Sequence, residues 1–162
     1  METKMITRLG MLLAVSLILS YIESLIPVII SVPGIKLGLA NIITMYVLYV
    51  YKQKTAFVIM LMRVLISGIL FTGLNTVIFG LLGGIFCIIS MTIAVRLKKF
   101  SIMGVSVSGA VFHNLGQILA AFIIMDNVNI LYYFPFLMIS GIITGFIIGY
   151  ISAVVIKRFQ NM

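Results

Sequence analysis

Apolar residues run through this chain in blocks about twenty positions long, and most charged positions fall at the seams between blocks. The blocks predict six spans, at about 9–30, 35–51, 55–74, 77–95, 102–125 and 130–156. All but the second are near or above the roughly 20 helical residues that cross ~30 Å of hydrocarbon. As a single helix, the stretch from Thr55 to Val95 would be about 60 Å long at ~1.5 Å per residue. It therefore reads as two crossings, with Thr72-Gly73-Leu74-Asn75 as the predicted hairpin. The fold expected is an all-α integral membrane bundle forming one transmembrane domain over residues 1–162.

The seams also set an orientation. Lys4 and Arg8 precede the first span, and Lys52 and Lys54 follow the second. Arg96, Lys98 and Lys99 follow the fourth, and Lys157 and Arg158 follow the sixth. With six crossings these clusters share one side, which the positive-inside rule makes the cytoplasm, so both termini are expected there. The other side carries only Lys36 and Asp126. The first span is expected to remain uncleaved, because its long apolar run leads into Glu-Ser-Leu-Ile-Pro (23–27) and not into an A-x-A-like site.

Composition agrees with a lipid solvent: 63% of residues are hydrophobic, 9% are charged, and the mean hydropathy is +1.32. An average soluble domain is about 25% charged. The net charge of +8 is split among short clusters and does not form the continuous stripe that nucleic acid requires, so no nucleic-acid partner is expected. Cys87 is the single cysteine, which excludes an intrachain disulfide and reads as a small packing residue.

The inventory of reactive groups is short. Glu2, Glu23 and Asp126 are the only carboxylates, so no aspartate-rich Mg²⁺–diphosphate motif can be assembled. There is no phosphate-binding glycine loop, and His113 has no neighbours at metal-ligand spacing. No catalytic residue, cofactor or metal is expected, which leaves selective binding.

Three groups are candidates for binding. The segment 32–41 contains helix-breaking Pro33 and Gly34, with Lys36 as a cation and Asn41 as a paired donor and acceptor. It reads either as irregular backbone lining a cavity or as an ordinary connection. His113, Asn114 and Gln117 fall in mid-span, with His113 about 16 Å from the span's start at ~1.5 Å per residue. His113 and Gln117 share a helix face with Gly109 and Ala121. Interhelical hydrogen bonding competes here with a ligand-facing surface. Arg63 lies about 13 Å beyond Lys54, too deep to snorkel fully. It reads equally as an anion-binding group or as structural, with Glu23 a distant candidate partner. Among small residues, Gly141, Gly145 and Gly149 predict internal close packing, whereas Gly10 and Ala14 offer a surface to a partner outside the chain. Aromatic residues such as Tyr49, Tyr51, Tyr132 and Tyr133 mark span ends.

Several stretches together resemble one small bacterial membrane family. They are Pro-Gly-Ile-Lys-Leu-Gly-Leu-Ala-Asn-Ile (33–42), the apolar segment bearing Arg63, Gly-Val-Ser-Val-Ser-Gly-Ala-Val-Phe-His-Asn-Leu-Gly-Gln (104–117) and Gly-Ile-Ile-Thr-Gly (141–145). The family is heptaprenyl diphosphate synthase component I, also called the Gx transporter family. It is similar to the substrate-binding S components of energy-coupling factor (ECF) transporters.

That resemblance implies a six-helix bundle with cytoplasmic termini in a bacterial inner membrane, capturing a small molecule near the outer face. It also implies docking on a transmembrane coupling protein driven by two cytoplasmic ATPases. Gly10 and Ala14 stand where the docking surface would be, although Met11, Leu12 and Leu13 replace the commoner alanine-rich version. The family name implies instead a membrane accessory subunit for a soluble prenyl diphosphate synthase, since this chain lacks the aspartate-rich sites of that chemistry. A purely structural assembly factor is the third reading.

Overall fold

A computed structural model describes residues 2–26 and 38–160 of the chain. Every regular element among the described residues is helical. They are α1 (Glu2–Leu25), α2 (Asn41–Val50), α3 (Gln53–Ser67), α4 (Leu74–Leu97), α5 (Ile102–Met125) and α6 (Phe134–Gln160). A π-turn, Gly68–Thr72, extends α3, and a 3-10 segment, Val128–Tyr133, leads into α6.

Five helical stretches are long and apolar enough to cross a membrane: Thr3–Leu25, Gln53–Thr72, Thr76–Leu97, Ile102–Met125 and Val128–Phe159. α2 has ten residues, about 15 Å of helix at ~1.5 Å per residue, and so spans about half of the hydrocarbon thickness. The first positions of the predicted second span, 35–37, lie outside the described residues. α1 begins at Glu2, earlier than the predicted boundary at Leu9, because apolarity reports depth in lipid while the hydrogen-bond ladder continues through Lys4 and Arg8.

Glycine and left-handed caps make the turns. At the predicted Thr72–Asn75 hairpin, Gly73 has φ +85°, where a Cβ would be strained. A Cβ on Gly68 would run into the Val77 side chain on α4, so the end of α3 closes on α4 at a residue without a side chain. Lys98 and Asp126 take left-handed conformations after α4 and α5, and Ser101 Oγ accepts from Gly104 N at 3.2 Å to cap the start of α5.

Packing centres on α5, which lies between α4 and α6. A Cβ on Gly116 would come within 2.8 Å of Gly83 Cα on α4. On the α6 side, a Cβ on Gly145 would lie 2.7 Å from Val107 Cα, and one on Gly149 would lie 2.8 Å from Met103 Cα. Helices in lipid gain little from apolar association, so this backbone-to-backbone approach is what dispersion contacts require. The ridge Gly141, Gly145, Gly149 is thus internal. α2 packs on α3 and α6, while α1 touches α3 and α2 from the periphery. Large apolar side chains such as Ile69, Ile123, Phe136 and Phe146 face outward. Helices apolar on both inner and outer faces are those of a multi-pass membrane protein.

Candidate functional site

A cavity of about 30 Å³ opens between the N-terminal end of α2 and the middles of α4, α5 and α6. That is room for about two waters, on the scale where one needs roughly 10–15 Å³. α5 contributes Ser106, Ala110, His113 and Asn114, whose i, i+4, i+7, i+8 spacing places them on one helical face. α6 adds Thr144, Gly145 and Ile148, and α4 adds Cys87 and Met91 one turn apart. Gly38, Asn41 and Met45 close the remaining side. No carboxylate lies in this lining.

Each polar wall is held from behind. Asn114 Nδ2 donates to Leu137 O at 2.6 Å, and a Cβ on Gly141 would lie 2.9 Å from that nitrogen, so glycine on α6 leaves space for the amide. His113 packs on Gly83, where a Cβ would come 2.9 Å from its Cε1. Thr144 Oγ1 donates back to Ser140 O at 2.9 Å. The floor is soft and apolar, with Cys87 Sγ 3.3 Å from Met91 Sδ.

The α2 side carries a second polar chain. Gly38, at φ +76°, donates its N–H to the Glu23 carboxylate on α1. Asn41 Oδ1 accepts from Arg63 Nη2 at 3.4 Å. Arg63 is 8% exposed, and its Nε is buried without a partner. Glu23 acts on its charge through space. Glu23 thus reaches Arg63 by field alone, and its direct hydrogen bond goes to the Gly38 backbone.

The predicted site residues separate in space. Asn41, His113 and Asn114 line one cavity, and Arg63 stands behind Asn41. Gln117 is 4% exposed with Oε1 unpartnered, but it lies beyond the lining, its Cγ against Gly83. Lys36 lies outside the described residues. Gly10 and Ala14 are exposed on α1, and a Cβ on Gly10 would meet nothing within 4 Å.

Sequence reasoning did not single out Met45, Met91, Ser106 or Thr144, and it read Cys87 as packing only. Thr144 had a usable signal, since it sits inside the Gly141–Gly145 interval that brings α6 against α5.

A family model described as heptaprenyl diphosphate synthase component I matches residues 12–155. The chain belongs to that family. No curated protein and no solved structure matches it. The match runs from within α1 to near the end of α6 and includes every residue lining the cavity, together with Glu23 and Arg63. Gly10 lies just before it.

Proposed function

We propose that this chain is a substrate-binding subunit of an ECF-type transporter, a six-span domain in a bacterial inner membrane with both termini cytoplasmic. It takes a small molecule into the cavity from the outer side for uptake. The convergence of Asn41, His113 and Asn114 on one cavity inside an apolar bundle carries this reading. Polar groups at that depth are costly to keep, and a ligand that uses them accounts for their being held in place. The placement of nine basic residues at one set of seams supports the orientation. The exposed Gly10 and Ala14 supply the surface for a coupling protein.

The family name favours a second reading, in which the chain is a membrane accessory subunit for a soluble heptaprenyl diphosphate synthase. In that reading the chain is non-catalytic, because its sequence, with Glu2, Glu23 and Asp126 as its carboxylates, has no aspartate-rich motif for Mg²⁺–diphosphate.

Native mass spectrometry of gently solubilised protein separates the two. The transporter reading expects a bound small molecule together with a coupling protein and ATPases. Recovery with a prenyl synthase subunit and no small molecule would overturn it in favour of the accessory reading.

A further inference from the structure

Arg63 has a hydrogen-bonding edge that the protein uses at one end only. Its Nε has no partner, and its Nη2 reaches Asn41 Oδ1 at 3.4 Å, longer than the usual 2.7–3.2 Å of an N–H···O bond. Nε–H and Nη2–H project from the same edge of the guanidinium plane and form a fork that matches the two oxygens of a carboxylate. Nη2, at one end of this edge, reaches Asn41, which lines the cavity, and Arg63 itself stands behind that lining.

The surroundings narrow the ligand further. Among the described residues no salt bridge reaches Arg63, and Glu23, which offsets its charge through space, is engaged by the Gly38 N–H. A buried cation with a weakly occupied fork is costly in this environment. The guanidinium carries one positive charge, part of which Glu23 already offsets, so a ligand with one negative charge fits better than one with several. A diphosphate would bring several charges against that single cation. The cavity, with room for about two waters, also fits two carboxylate oxygens.

We infer that the site takes a monocarboxylate, with its head group bound side-on by Arg63 Nε and Nη2. On binding, Asn41 Oδ1 yields its place on Nη2, and Asn41 Nδ2 remains as a further donor. The cavity has room for little beyond the head group, so the ligand is a short monocarboxylate whose first carbons meet the apolar wall of Met45, Cys87, Met91 and Ile148. This assignment rests on the small-molecule reading above and specifies the chemical class.

The test uses the full chain in lipid nanodiscs. A ladder of straight-chain monocarboxylates is titrated beside primary alcohols of matched length, inorganic phosphate and diphosphate, with thermal unfolding and calorimetry as readouts. Monocarboxylates are expected to bind saturably and raise the unfolding temperature, while alcohols, phosphate and diphosphate leave it unchanged. Arg63→Lys keeps the charge and loses the fork, so it weakens carboxylate binding at least about tenfold. Arg63→Gln abolishes it.

If Arg63→Gln does not fold, the wild-type protein still decides through its arginine ¹⁵Nε resonances, with Arg63 assigned from the Lys variant. Carboxylate must shift the Arg63 signal, and an unmoved signal overturns the proposal. Carboxylate binding that survives both substitutions also overturns it. Binding of alcohol or diphosphate without carboxylate ends the carboxylate assignment and leaves the small-molecule reading standing. If no probe binds and native mass spectrometry finds no small molecule, both fall together.

Discussion

Small residues at the same four-residue spacing meet opposite fates in α6 and α1. Gly141, Gly145 and Gly149 are pressed against α5, with absent Cβ atoms that would lie 2.9 Å from Asn114 Nδ2, 2.7 Å from Val107 Cα and 2.8 Å from Met103 Cα. Gly10 and Ala14 look outward from α1, whose only fully buried described residue is Ser16. The spacing permits a close approach; it does not supply a helix to approach. On α6 the approach is used within the chain, where it forms one wall of the cavity and holds Thr144 beside Asn114. On α1 it is left available, and the proposed coupling protein would use it.

The contrast breaks most sharply at Gly145. Gly145→Leu drives a side chain into the α5 backbone and is expected to cost about 3 kcal/mol or more, with loss of the folded, monodisperse species on size-exclusion chromatography. A variant that folds normally would show that α5 and α6 can separate without cost. Asn114→Ala comes next. It removes the donor to Leu137 O in the same seam and should cost about 1–3 kcal/mol by thermal unfolding in a fixed detergent.

Gln117→Met tests the other side of α5. Because Oε1 is buried without a partner, its removal should cost less than about 1 kcal/mol, and a larger loss would reveal a polar partner for that oxygen. Gly10→Leu has the smallest effect on folding, within about 0.5 kcal/mol at an exposed helical position. The same variant should lose the partner that wild-type protein retains on affinity purification. Full retention would remove α1 as the docking face.

Some of this architecture was readable from residue types. Segments such as 102–125 declare themselves because about twenty consecutive apolar residues have one economical use in a bilayer, and α5 occupies those bounds. The hairpin was legible from Gly73, since a positive φ favours glycine. His113 and Asn114 were visible because polar side chains stand out against an apolar background. By the same logic Gln117 belonged with them, but one more turn carries it past the cavity to Gly83.

Met45, Cys87, Met91 and Thr144 were not distinguishable, because sulfur and hydroxyl side chains are ordinary in membrane helices. Glu23 was visible as an anomaly, yet nothing along the chain says that its hydrogen bond goes to the Gly38 amide.

The sequence by itself determined the solvent, the helical class, the approximate span positions and the short list of polar groups set into apolar helices. Each of these depends on local composition and on distance along one helix, which residue order specifies directly. Only the tertiary structure decided which polar groups share a cavity, which glycines are pressed against a backbone, and that the buried Arg63 Nε has no partner. Those outcomes depend on the rotation and depth of one helix against another. They are set by contacts between residues far apart in the chain, such as Asn41 with Arg63 and Asn114 with Leu137.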